Sequence, residues 1–330
     1  MQTLYLSEQG CYVSLKQETL LVKRESSVLM KIQLPLLEQV LVFGQSQLTT
    51  QVIRACLSRD IPIAYLSRLG YCYGRLISIE RGYRQLALYQ RQLSFLERLS
   101  VAQRIVQAKL KNCRVLLLRQ QRRSATGEMA LAIASLNQLA GRSLQARDVE
   151  ELMGLEGAGA AAYFRALGAC FTHKDFTFVG RSRRPPGNPV NALLSFGYQV
   201  LWNHLLTLIE LQNLDPYQAC LHQGSERHAA LVSDLVEEFR APIIDSLVLQ
   251  LLNGRIMEVE SDFEPHQGGC YLSSSGRKKF LQAFRKRMED QLRTDSGEMQ
   301  PRWDTLNRQV KAYRQFIYSP VNLYSPYRIR

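Results

Sequence analysis

The chain has 330 residues, 42 of them Lys or Arg against 29 Asp or Glu, for a formal charge of +13, and a hydrophobic content of 46% that allows a sizeable core. That charge favours polyanionic partners, chiefly nucleic acid or an acidic membrane surface. The seven cysteines are odd in number and include no C-x-x-C pair, which argues against a disulfide framework or a zinc ribbon and for a reducing, cytoplasmic setting. No signal peptide is expected, because the first residues lack a basic region followed by an apolar one. No stretch approaches the roughly 20 apolar residues that span a bilayer, so no membrane is expected as a partner.

In chain order, Thr3–Leu6, Cys11–Leu15 and Thr19–Lys23 form short strand-like runs broken by Gly10 and polar residues. Val40–Gly44 and Ile61–Leu66 are buried-strand candidates. Between them Val52, Ile53, Cys56 and Leu57 have helical spacing over Leu48–Arg59, with Thr49 as a possible cap. Residues 1–80 are thus expected to form a small β-rich domain with one inserted helix. From Tyr83 to Gln121 the pattern is helical throughout, with apolar positions at Leu86, Leu93, Leu96, Leu99, Ala102, Ile105, Val106 and Leu110. At least two more helices fall within 128–174. Another covers Asn188–Gln212, with Pro189 in its first turn, where a missing N–H costs nothing. A loop (Thr294–Pro301), a helix (Trp303–Ile317) and a Tyr- and Pro-rich tail follow. The fold class is α+β: the β-rich domain, then a larger all-α domain over 81–330.

The segment Leu221–Arg240 sets His222 ahead of a helix carrying Asp234 and Glu237 three residues apart. On a helix these carboxylates project side by side and repel unless a cation or proton joins them. The plainer alternative is a solvated acidic face, with Glu237 pairing Arg240. Glu156 opens a helix of tiny residues, Gly157-Ala158-Gly159-Ala160-Ala161, that lets another backbone or a substrate approach closely. The alternative is an acid placed at the positive end of a helix dipole. Together Glu156, His222 and Glu237 would supply one imidazole and two carboxylates, a set suited to Mg²⁺ or Mn²⁺ rather than zinc. Arg181, Arg183 and Arg184 lie on a loop held open by Pro185 and Pro186 and suit phosphate contact. Arg277, Lys278 and Lys279 begin a further helix, with Phe280, Leu281, Phe284 and Met288 facing inward and the cations outward. Arg119, Arg122 and Arg123 make a third basic cluster. A solvated linker and ordinary charged helix faces are the alternatives for these three.

These segments, in this order and over nearly the whole chain, resemble the CRISPR-associated protein 1 family. The likeness runs through Gln33-Leu34-Pro35, Val40–Gly44, Leu48-Thr49-Thr50, Ile61-Pro62-Ile63 and Gly74-Arg75-Leu76. It continues at Ala102–Val106 with Lys109, Asn112 and Arg114, then Glu156, Arg183–Pro186 with Asn191–Tyr198, His222–Arg240, and Tyr271-Leu272 with Gly276–Phe280. The resemblance implies a DNA integrase and endonuclease of CRISPR adaptation. It implies Glu156, His222 and Glu237 as metal ligands, with Asp234 as a supporting acid among the catalytic residues. Arg184, Asn191, Ser195, Tyr198 and Lys278 would line the site or the DNA path. It further implies a homodimer paired through the β domains and a CRISPR-associated protein 2 partner. Two positions depart from the family pattern: Asn188, where many relatives carry aspartate, and Glu238, which is often proline.

Overall fold

In a computed structural model, residues 2–25, 27–78, 85–122, 126–224, 228–293 and 297–329 are described. The N-terminal part is two packed sheets. One contains β1 (Gln2–Leu6), β5 (Leu37–Phe43), β7 (Ile63–Leu66) and β8 (Cys72–Leu76) in the order β1-β5-β7-β8, with β8 antiparallel to its neighbour. The other runs β4-β3-β2-β6, from β2 (Tyr12–Lys16), β3 (Thr19–Arg24), β4 (Ser27–Gln33) and β6 (Gln47–Leu48). Helix α1 (Thr50–Leu57) makes the crossover from β5 to β7, and the Thr49 side chain caps it by accepting the Val52 N–H.

Strand β5 shows why its sequence is continuously apolar. Val40 and Val42 enter the core between the sheets, whereas Leu41 and Phe43, on the opposite face, join the helical core. A strand buried on both faces carries no polar alternation. The β part is therefore packed directly onto the helices. The boundary expected at residues 80/81, with Gly82 and Tyr83 beyond it, lies outside the described residues.

The expected single helical run splits into α2 (Gln85–Gln92) and α3 (Phe95–Gln121). Ser94 stops it: its hydroxyl accepts the Glu97 N–H while Glu97 accepts the Ser94 N–H, a reciprocal cap that starts a new helix. Leu96, expected on the apolar stripe, is 73% exposed. Then come α4 (Gly127–Arg142), α5 (Val149–Gly168), α6 (Pro189–Leu211) and α7 (Ala230–Val236), followed after a π-helical turn by α8 (Ser246–Asn253) and the short α9 (Val259–Asp262). A ribbon β9–β10 (Phe263–His266, Gly269–Leu272), helix α10 (Ser274–Glu289), a second ribbon β11–β12 (Gln291–Arg293, Met299–Pro301) and α11 (Arg302–Tyr318) complete the mostly helical part. Neither ribbon was anticipated. Of the expected loop at 294–301, residues 294–296 lie outside the described residues and 299–301 are strand.

Helix α6 runs through the middle of this core. Asn188 caps it by accepting the Asn191 N–H, a task that aspartate performs equally well, so the departure at this position keeps the cap. By length and apolarity α6 is the one described helix that could cross a bilayer, contrary to the expectation that none approaches this. It is mostly buried inside the protein and carries buried polar groups at Asn191, Asn203 and His204. His204 joins the two parts. It accepts from the Gln39 amide on β5 and lies 2.7 Å from Tyr5 Oη on β1.

Candidate active site

Loop 181–186, helix α6, the 222–240 segment, the middle of α5 and the turn near Arg68 surround a cavity of about 810 Å³. Its wall includes Glu156, His222 and Glu237 together with Arg68, Arg181, Arg183, Arg184, Arg240 and His228. The structure thus brings the three proposed ligands to one basic cavity.

Glu156 does not open its helix. Asp148 caps α5 by accepting the Glu151 N–H, and Glu156 lies in the second turn beyond, so the dipole alternative lacks its geometry. Of the small residues Gly157 faces open space, whereas Gly159 has a packing role, since it sits where a Cβ would collide with the Leu110 side chain of α3. This close approach lets Lys109, one residue before Leu110, reach Glu156. Lys109 Nζ donates to Glu156 Oε1 and stands 2.6 Å from Glu237 Oε2. Arg240 Nη1 is 2.7 Å from Glu237 Oε1, the i+3 pair anticipated as the plainer alternative. A solvated face is nevertheless excluded, since Glu237 is only 3% exposed. Burial raises the Glu237 pKa, but Arg240 and then Lys109 outweigh it and hold the carboxyl down to about 2. Burial likewise works against the Lys109 ammonium, and Glu237 and Glu156 more than restore it, so its pKa is raised.

Asp234 and Glu237 do not act as a pair. Asp234 is fully buried and turned the other way. Its Oδ2 accepts the N–H groups of Cys220 (2.7 Å) and Leu221 (2.9 Å). Its Oδ1 accepts the N–H of His222 (2.9 Å) and lies 2.8 Å from His222 Nδ1. The carboxylate fixes both the backbone and the ring of His222. With Nδ1–H donated to Asp234, Nε2 carries the lone pair.

Behind this wall the helix from α7 into α8 is interrupted. Pro242 has no N–H to give, and residues Arg240–Asp245 widen into a π-turn. At its end Asp245 accepts the hydroxyls of Tyr163 (2.7 Å) and Tyr198 (2.6 Å). The Tyr198 ring in turn has the guanidinium of Arg240 at 4.9 Å and that of Arg181 at 5.5 Å. Arg181 is fixed further by Asn191 Oδ1 (2.8 Å) and Ser195 Oγ (2.9 Å). Asn191 is buried and holds the arginine loop; it does not face the cavity. Arg183 and Arg184 are exposed on the rim. A smaller cavity of about 450 Å³, lined by Ala160, Ala161, Phe164 and Arg165, adjoins at Arg181 and Arg183.

The second basic group lies elsewhere. Arg277 faces inward, contrary to expectation. It is 3% exposed and donates to Leu272 O, because Gly276 packs against the Asp262 backbone and draws the start of α10 into the core. Lys278 pairs with Glu8 at 3.1 Å and Lys279 with Asp262 at 2.7 Å. None of the three lies on the cavity wall. In the third cluster Arg122 is exposed beyond the end of α3, and Arg123 lies outside the described residues.

Sequence reasoning gave no role to Arg240 beyond pairing Glu237, and none to Tyr163, Asp245 or His228; it quoted Lys109 only within the resemblance. Lys109 had a visible signal. It falls on the stripe Ala102, Val106, Lys109, Cys113, Leu116, where a lone charge on a buried face demands partners. Glu238, which the sequence marks only as a departure from the family pattern, also has a structural role. It is fully buried and accepts the Tyr324 hydroxyl (2.6 Å) and the Tyr327 N–H (2.6 Å), while Asn112 donates to its carbonyl (2.8 Å). It therefore ties the segment after α11 to the backbone that carries Glu237. Burial pushes its carboxyl up to about 8.

The architecture is a two-sheet β unit packed on a helical core whose basic cavity carries two carboxylates and an oriented imidazole. The family model for CRISPR associated protein Cas1 matches residues 4–286, and the chain belongs to the Cas1 family. A Cas4/Cas1 exonuclease–endonuclease fusion of Geobacter sulfurreducens is 35% identical over 300 residues, covering 88% of this chain and 53% of the relative. A protein of Thermus thermophilus named a CRISPR-associated endonuclease Cas1 is 31% identical over 332 residues, covering 99% and 97%. A solved Cas1 protein from Thermotoga maritima superposes with a TM-score of 0.82 at 25% identity, covering 96% of this chain and 97% of that one. The chain spans about half the length of the Geobacter fusion and of a second such fusion, from Rhodospirillum rubrum.

Proposed function

We propose that this chain is a metal-dependent DNA endonuclease and integrase of CRISPR adaptation. The observation that carries the reading is that Glu156, His222 and Glu237 line one arginine-walled cavity in a Cas1 fold, although among the described residues no three such side chains stand close enough to hold an ion without rearrangement. The donors suit Mg²⁺ or Mn²⁺. They are oxygen-rich with one nitrogen, and His222 is oriented by a carboxylate as metal-bound imidazoles usually are. Bound there by Glu156, His222 and Glu237, the ion would polarise a phosphoryl oxygen and favour in-line attack. Arg181 is held in place by Asn191 and Ser195, and with the rim arginines it would receive the flanking phosphates.

The substrate would be the 3′-hydroxyl of a prespacer and a phosphodiester at a CRISPR repeat boundary. The attacking oxygen bonds to phosphorus and loses its proton. The P–O3′ bond of the target strand breaks, and the departing 3′-oxygen gains a proton, so one phosphodiester replaces another without ATP. The same site acting on a flap would release it. A homodimer paired through the β units, a CRISPR-associated protein 2 partner and a cytoplasmic location complete the proposal.

One observation favours a second reading, a DNA-binding scaffold: Lys109 and Arg240 already neutralise Glu156 and Glu237. A branched DNA assayed in Mn²⁺ and in EDTA, with wild type and His222→Ala, separates the two. Flap release that needs both the metal and His222 supports the nuclease. Activity that survives the substitution refutes the assigned site. An inert wild type that still binds DNA, with and without its protein partner, favours the scaffold. Cutting without strand transfer, independent of that partner, would instead indicate a branched-DNA repair nuclease.

A further inference from the structure

The two carboxylates on the cavity wall already have a cation between them. Lys109 Nζ touches Glu156 and lies 2.6 Å from Glu237, and its side chain is 10% exposed. Arg240 takes the other oxygen of Glu237 at 2.7 Å. Two negative charges face two positive ones, so the group is neutral as it stands. A divalent ion entering it would raise the local charge by two units where little water can respond. It would also take both carboxylates from Lys109 and leave a buried ammonium without partners, which is costly. A DNA phosphate removes both penalties together, because it brings negative charge and offers oxygen acceptors to the ammonium.

We propose that Lys109 couples metal binding to DNA binding. Without DNA it closes the site as its resident cation; with DNA it donates to a phosphate oxygen while the ion takes the carboxylates. This rests on the metal-site reading given above. The role differs from that of Arg240, which contacts Glu237 alone among the two acids and whose guanidinium stacks on Tyr198.

The test is Mn²⁺ binding, followed by electron paramagnetic resonance of the free ion, with and without a branched DNA. Wild type should bind Mn²⁺ at least about tenfold tighter when DNA is present, within the usual range of linked binding. Lys109→Met should bind Mn²⁺ without DNA at least about tenfold tighter than wild type does, and DNA should add little. Lys109→Gln, which keeps a polar side chain, decides the matter if the methionine variant does not fold. The coupling role is overturned if both variants match wild type without DNA or keep its full DNA enhancement. Glu237→Gln separates this from the underlying reading. If Mn²⁺ binding to wild type with DNA is absent, or survives Glu237→Gln unchanged, the metal-site reading falls and the proposal with it. If Glu237→Gln abolishes binding while the Lys109 variants behave as wild type, only the coupling role falls.

Discussion

Replacing Asp234 by asparagine should cost stability and change the His222 tautomer together. The carboxylate accepts four hydrogen bonds, at 2.7 and 2.9 Å on one oxygen and 2.9 and 2.8 Å on the other, while fully buried. An asparagine keeps one oxygen, so it satisfies either Cys220 and Leu221 or the two groups of His222. Its amide then faces the remaining pair, and two bonds to a charged acceptor are lost, about 3–6 kcal/mol. His222 can recover one by moving its proton to Nε2 and accepting at Nδ1, which leaves a net loss of about 2–4 kcal/mol. That shift removes the lone pair proposed for metal binding. Urea denaturation near neutral pH measures the first effect, and the ¹⁵N resonances of the imidazole measure the second. A variant within about 0.5 kcal/mol of wild type, with Nδ1 still protonated, would refute the claim that Asp234 holds His222.

Other substitutions probe the frame around the site. Glu238→Ala leaves the Tyr324 hydroxyl and the Tyr327 N–H without their acceptor, costing about 2–5 kcal/mol. Limited proteolysis should then cut within 319–329 before the rest of the chain, and an unchanged digestion pattern would count against the anchor. Burial, with a smaller contribution from Arg75, lowers the His204 pKa to about 3, so the fold holds this ring neutral. Its contribution is complete above the unfolded value near 6.5 and is lost as pH falls from there towards 3, by at most about 1.4 kcal/mol per unit. Between pH 7.5 and 5.0 wild type should therefore lose about 2 kcal/mol more than His204→Gln, and parallel curves would refute this. Gly159→Ala drives a methyl into the end of the Leu110 side chain and should destabilise by about 1–3 kcal/mol in thermal or urea unfolding; a neutral result would mean that the Leu110 side chain turns aside without cost.

The parts of the fold that were legible in sequence are those set by local chemistry. Thr49 and Pro189 mark helix starts, and the doubly buried strand β5 shows as an unbroken apolar run. Ser94 with Glu97 was equally local, and the capping box was overlooked because the apolar period continues across it. Glu156 was set at the start of a helix of tiny residues, whereas the true start is fixed by Asp148 and its bond to the Glu151 N–H. For the site, residue types alone suggested Glu156, His222 and Glu237, but not their surroundings. The separate orientations of Asp234 and Glu237 depend on the Cys220–His222 backbone and on Lys109, which lie far from them in sequence or on another helix. The inward turn of Arg277 was equally invisible, since it follows from Gly276 meeting Asp262.

The central claim is that Glu156, His222 and Glu237 together hold a catalytic divalent ion. Its most direct test is anomalous diffraction at the manganese edge from crystals of the protein with branched DNA and Mn²⁺. The account predicts one peak at about 2.0–2.3 Å from His222 Nε2 and from an oxygen of each glutamate, with Lys109 displaced from between them. A peak elsewhere, or no peak with Lys109 still joining the two carboxylates, would contradict it.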